Sequence, residues 1–100
     1  MFDLITIGDC TIDNIVTIDD AQVKCGLDKD ECLLCFNYAE KTPIKRLDYS
    51  TGGNAANVAV GCTKLGLKTS IFSELGADTN GYLIKEDLKQ NKVSINLLKI

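Results

Sequence analysis

The chain has 100 residues, 45% of them apolar and 25% charged, with a net charge of −3, the composition of one ordinary folded domain or a part of one. Lysines and acids are interspersed without a basic stripe, which argues against nucleic acid as a partner, and no apolar run approaches the ~18 residues that span a bilayer, so no membrane partner is expected. The start, Met1-Phe2-Asp3-Leu4-Ile5, has neither the basic lead nor the small-residue cleavage site of a signal peptide, and the expected location is cytoplasmic.

Phe2 to Ile7 reads as a short buried strand ended by Gly8 and Asp9. Ile12 to Ile18 is a second β-rich run, and the polar, acidic stretch Asp19 to Glu31 reads as a loop. Cys32 to Tyr38 is a third β-like run; Thr42-Pro43 breaks it, and Ile44 to Tyr49 predicts a fourth strand. The irregular, two-sided patterning of these early segments predicts a small appended sheet. Five cysteines, Cys10, Cys25, Cys32, Cys35 and Cys62, form an odd set without a secretory signal, which predicts reduced thiols. Cys32 and Cys35 form a C-x-x-C pair, but residues three apart on a strand face opposite sides. There is no histidine and no second such pair, so packing is expected there and no metal. The Asp28-Lys29-Asp30-Glu31 run reads as a solvated loop rather than a cation site.

The pattern changes at Gly52-Gly53-Asn54-Ala55-Ala56-Asn57-Val58-Ala59. Paired glycines let the backbone turn sharply and let a ligand approach the main chain, and the helix that follows would point free N–H groups back at that ligand. Ala55, Ala56, Val58, Ala59, Val60, Cys62 and Leu65 predict a helix apolar almost all round, hence buried, with Gly66 at a left-handed C-cap. Gly61 is expected at a close helix packing. Thr69 to Leu75 predicts a strand closed by Gly76. Asp78 or Thr79 would cap a second helix running to about Lys92, with Leu83, Ile84 and Leu88 on one side. Val93 to Ile100 is again strand-like. The order βαβαβ is the start of an α/β, doubly wound, mainly parallel (Rossmann-like) sheet. Two helices on three strands leave edges and a face open, so residues 1–100 are expected to be the front part of a longer domain.

The spacing Gly52-Gly53, Ala55, Asn57, Ala59, Gly66 and Gly76, with Gly76-x-Asp78-x-x-Gly81 after it and Gly8 five residues before Asp13, resembles the N-terminal signature of the ribokinase-like (PfkB-type) carbohydrate kinases. The resemblance covers nearly the whole chain. It implies an incomplete ribokinase-like fold with a β lid formed by residues 12–18 and 32–49, and a homodimer through that lid. It implies a sugar or nucleoside substrate and, for the complete protein, phosphoryl transfer from ATP with Mg2+ to a substrate hydroxyl. By the same resemblance Asp13 accepts hydrogen bonds from substrate hydroxyls, Gly52 and Gly53 give close backbone approach, and Asn57 offers an amide that donates and accepts. Asn54 falls where ribokinases carry lysine, and Thr11 replaces an asparagine common in that group; Asn54 is retained as a substrate-site candidate.

Plain structural roles stand beside these: a turn cap for Asp13, a helix-interior polar residue for Asn57, an N-cap for Asn54. The family's catalytic D-T-x-G-A-G-D motif has a decoy in Asp78-Thr79-Asn80-Gly81, which continues Tyr82-Leu83-Ile84 with no further glycine or second aspartate; it reads as a helix start. No catalytic residue and no ATP site is therefore expected in this chain, and it is expected to be inactive alone. The rival readings are a nucleoside kinase of the same fold, a non-catalytic sugar-binding or regulatory module, and one half of a split enzyme.

Overall fold

Residues 1–19, 21–27 and 31–100 are described by a computed structural model. They divide into two compact units, Met1–Asp13 with Tyr49–Ile100, and Asn14–Asp48.

In the first unit, β1 (Leu4–Ile7) pairs in parallel with β6 (Thr69–Glu74), and β6 pairs in parallel with β7 (Leu98–Lys99). The register runs from Leu4 opposite Thr69 to Ile7 opposite Phe72. Two helices complete the βαβαβ order: α1 (Asn54–Lys64) between β1 and β6, and α2 (Thr79–Gln90) between β6 and β7. The expected final strand is shorter than the Val93–Ile100 run. Ser94 makes a single parallel bridge to Ser70, and only Leu98 and Lys99 continue the ladder.

The period-two pleat decides which side chains meet the helices. Ile71, at 0% exposure, joins Ala55, Ala56, Ala59, Ile84, Leu88 and Val93 in one apolar cluster. Ile5, Ile7 and Phe72 alternate to the opposite face and stay exposed, with the Lys99 ammonium 5.5 Å from the Phe72 ring centroid. The uncovered sheet face expected from two helices on three strands is thus a physical feature of this unit.

Helix α1 departs from its expected burial. Its alanines at 55, 56 and 59 are buried, while Asn57, Val58 and Gly61 are exposed, so one stripe rather than the whole circumference meets the sheet. A Cβ at Gly61 would meet nothing within 4 Å, so the close packing expected at this glycine is absent among the described residues. The end of α1 follows the C-cap expectation. Gly66 has φ +96°, its N–H donates to the Thr63 carbonyl at 2.9 Å, and the Leu67 N–H donates to the Cys62 carbonyl at 3.1 Å. This pair of reversed bonds satisfies carbonyls that the helix would otherwise leave open.

Helix α2 begins at Asp78, whose carboxylate accepts from the Gly81 N–H at 2.8 Å. The first turn carries Gly81 against the Gly76 carbonyl, with no space for a Cβ. The Gly76-x-Asp78-x-x-Gly81 spacing is therefore a helix-start device. Ile84 and Leu88 are buried as expected; Leu83 is exposed.

β2 (Thr11–Thr17) and β5 (Arg46–Gly52) form a two-stranded sheet. In the second unit, β3 (Gln22–Cys25) and β4 (Cys32–Cys35) form an antiparallel ribbon. β3 lies inside the stretch read as a loop; Asp20, Asp28, Lys29 and Asp30 of that stretch lie outside the described residues. The β3–β4 register sets Cys25 directly opposite Cys32, with Cα atoms 4.0 Å apart, and the two are joined in a disulfide. This corrects the expectation of reduced thiols at that pair. Cys10, Cys35 and Cys62 are free.

Candidate functional site

The di-glycine turn is the meeting point of three elements: the β1–β2 connection, the end of β5 and the start of α1. Gly52 is the last residue of β5 and is buried. A Cβ at Gly52 would strike the Asp13 carboxylate, with Cγ only 2.9 Å away. The glycine therefore makes the space in which that carboxylate lies against the β5 backbone. Asp13 itself is exposed, and its Oδ1 accepts weakly from the Thr11 hydroxyl at 3.4 Å. The structure brings Asp13 and Gly52 together.

Gly53 is the N-cap of α1, with φ +95° and ψ 144°, a backbone region that L side chains rarely adopt. A Cβ there would also stand 2.5 Å from the Asp9 carbonyl oxygen and 2.9 Å from the Cys10 Cα. Conformation and space both require glycine. Having no side chain, Gly53 cannot cap the helix it begins.

Asn54 is the first helical residue, not the cap. Its backbone N–H donates to Asp9 Oδ1 at 3.1 Å, so one of the helix N–H groups expected to face a ligand already has a protein acceptor. Asn57 lies one turn further on; its N–H donates to the Gly53 carbonyl at 2.9 Å. The Asn57 side chain is exposed and makes no protein hydrogen bond among the described residues. It borders a depression of about 250 Å³ shared with Thr51, Lys64 and Asp87. No hydrogen bond links Asn57 to Asp13. The five candidates therefore resolve into a tight group of Asp13, Gly52, Gly53 and the Asn54 amide, with the Asn57 side chain beside it on the helix.

Two residues absent from the sequence-derived site belong to the same turn. Asp9 touches both Gly53 and Asn54, and Cys10 packs against Gly53 and the core. Burial pushes the Cys10 thiol above its ordinary range; a hydrogen bond with Ser73 opposes the shift and the Asp9 charge adds to it. Sequence carried one signal for Asp9, its place in the Gly8-Asp9 strand end.

Chemically, the group presents an exposed carboxylate over a backbone stripped of side chains. A carboxylate has two acceptor oxygens and suits two adjacent hydroxyl donors. The α1 start does not offer an anion cradle: a carboxylate already occupies it, and the segment lacks the lysine and Ser/Thr of a P-loop. Among the described residues, no group of three or more Cys, Asp or Glu stands ready to hold a metal ion, and no helix is long and apolar enough to cross a membrane.

Residues 12–100 match the pattern described as pfkB family carbohydrate kinase, and the chain belongs to that family. A Pyrococcus horikoshii protein named as a sugar kinase is 40% identical over 68 residues, which is 67% of this chain and 22% of that protein. A nucleoside kinase of Methanothermobacter thermautotrophicus is 43% identical over 54 residues, 54% of this chain and 18% of its own length. The chain thus spans about a fifth of these relatives. Among solved structures, Arabidopsis thaliana ribokinase, complexed with ribose and ATP, matches with TM-score 0.73 at 23% identity, over 98% of this chain and 28% of that one. At that identity the likeness shows the fold: this chain has the α/β architecture of the ribokinase-like kinases.

Proposed function

We propose that this chain is the substrate-binding, N-terminal part of an ATP-dependent sugar kinase, and that Asp13 and the Gly52-Gly53 backbone hold substrate hydroxyls. The observation that carries the reading is the Asp13 carboxylate, exposed on one side and seated on the other against a glycine that leaves it room. Asn57, exposed and unpaired on α1, adds a group that can donate and accept. Asn54 holds the turn through its backbone N–H, which Asp9 accepts, and its side chain is the group it could offer a substrate. A nucleoside kinase remains the second reading, favoured by the Methanothermobacter relative; a ribosyl group offers the same adjacent hydroxyls. Residues 12–18 and 32–49 are proposed as the lid, and the exposed Leu33 and Leu34 support its use as a homodimer surface.

ATP with Mg2+ is the expected donor system of the whole enzyme. The Asp78-Thr79-Asn80-Gly81 segment does not fit it: it is the capped start of α2, with the Asp78 carboxylate engaged by Gly81. The chain alone is proposed to bind substrate without phosphorylating it.

The test is amide shift mapping of the 15N-labelled protein with D-ribose, D-fructose and adenosine, followed by addition of ATP and Mg2+. The account expects saturable shifts centred on Gly52, Gly53 and Asn57 with at least one ligand, and no phosphorylated product. Absence of saturable shifts there with all three overturns the site; product formation overturns the assignment of transfer chemistry to other sequence.

A further inference from the structure

The glycine at the start of α1 creates a difficulty that Asp9 resolves. With φ +95° and a Cβ position blocked by the Asp9 carbonyl and the Cys10 Cα, position 53 can hold only glycine, so the helix must find its N-terminal acceptor elsewhere. It finds it 45 residues away in sequence, in the connection between β1 and β2, where Asp9 Oδ1 accepts the Asn54 N–H at 3.1 Å. Asp9 thus meets the turn twice: its carbonyl fills the space a Gly53 Cβ would need, and its carboxylate holds the next peptide.

Asp13 follows four residues on, in β2, and is the group seated against Gly52. Asp9 and Asp13 therefore bracket the di-glycine from one stretch of chain. We propose that Asp9 is a positioning residue of the sugar site: by fixing the Gly53–Asn54 peptide it sets the Gly52-Gly53 backbone and the Asp13 carboxylate in register for one pair of hydroxyls. This rests on the reading of Asp13 and the glycines as the substrate site. Acting through Asn54, Asp9 needs no contact with substrate. Asparagine retains an oxygen that can accept from the Asn54 N–H, whereas alanine leaves that donor without its partner.

The experiment compares the wild-type protein with Asp9→Ala and Asp9→Asn in two measurements. These are affinity for whichever of D-ribose, D-fructose and adenosine binds the wild-type protein most tightly, and amide hydrogen exchange at Asn54 with α2 amides as the internal control. With Asp9→Ala, Asn54 exchange is expected to accelerate and the Kd to rise, each about tenfold, while α2 exchange stays unchanged. With Asp9→Asn, affinity is expected to stay within about threefold of wild type. Unchanged Asn54 exchange in Asp9→Ala overturns the anchoring. Faster exchange with an unchanged Kd overturns the positioning role while leaving the sugar site intact. If the wild-type protein binds none of D-ribose, D-fructose and adenosine yet Asn54 exchange still responds, the sugar reading has failed, and Asp9 is reduced to a helix anchor.

Discussion

Single residues in this chain separate into those whose role follows from neighbours in sequence and those whose partner is remote. Asp78 belongs to the first kind: it caps α2 through Gly81, three residues on, and the spacing predicted it. Asp9 belongs to the second. Its bond to Asn54 crosses 45 positions, and no local pattern encodes such a contact. Asp13 lies between, since only the family resemblance pointed it at the glycines. Thr6 shows a cost that sequence also hid. It is buried on β1 opposite Ile71, and its hydroxyl has no hydrogen-bond partner among the described residues. A buried hydroxyl without a partner costs roughly 1–3 kcal/mol. Thr6→Val keeps the shape and removes that oxygen, so thermal unfolding should move upward by a few degrees, on the order of 4–8 °C per kcal/mol for a chain of this size. A lowered Tm would mean that the hydroxyl is satisfied by water in solution.

At the scale of elements, the second half of the chain was more legible than the first. α1, β6 and α2 each carry their own punctuation: a di-glycine before, Gly66 after, Asp78 in front. β3 has none, because Gln22-Val23-Lys24-Cys25 is short, polar and fully exposed, and its hydrophobic pattern is too weak to distinguish strand from loop. Missing β3 also meant missing the cysteine pair, since the 25–32 disulfide follows from the antiparallel register. The all-round burial expected of α1 failed for a different reason. Apolar composition permits burial on every side, but burial also needs elements to cover each face, and here one stripe is covered. Two glycine substitutions test these element-level roles in opposite directions. Gly61→Ala places a methyl into open space mid-helix and should stabilise by roughly 0.5–1 kcal/mol. Gly81→Ala drives a methyl into the Gly76 carbonyl and should destabilise by about 1–3 kcal/mol. Chemical denaturation of both variants decides the matter; equal stabilities would refute the close approach at the start of α2.

For the molecule as a whole, the first unit has a thin core. Of the eight buried apolar residues described, three are alanines, and Ile71 and Leu88 are the largest fully enclosed apolar side chains. Each of those two contributes about 1.5–3 kcal/mol by burial. The face bearing Ile5, Ile7 and Phe72 contributes nothing of the kind while it remains exposed. Composition and element order were enough to foresee this imbalance, since a parallel sheet needs cover on both sides. They could not place the candidate site, which depends on three segments meeting at one turn. The proposed site stands or falls at that turn, and isothermal titration of D-ribose into the wild-type protein and Asp13→Ala decides it. A charge-assisted hydrogen bond lost with Asp13 removes about 1.5–3 kcal/mol, so affinity should fall roughly 10- to 100-fold while the melting curve stays in place. Equal affinity for the two proteins would contradict the claim and remove Asp13 from the site.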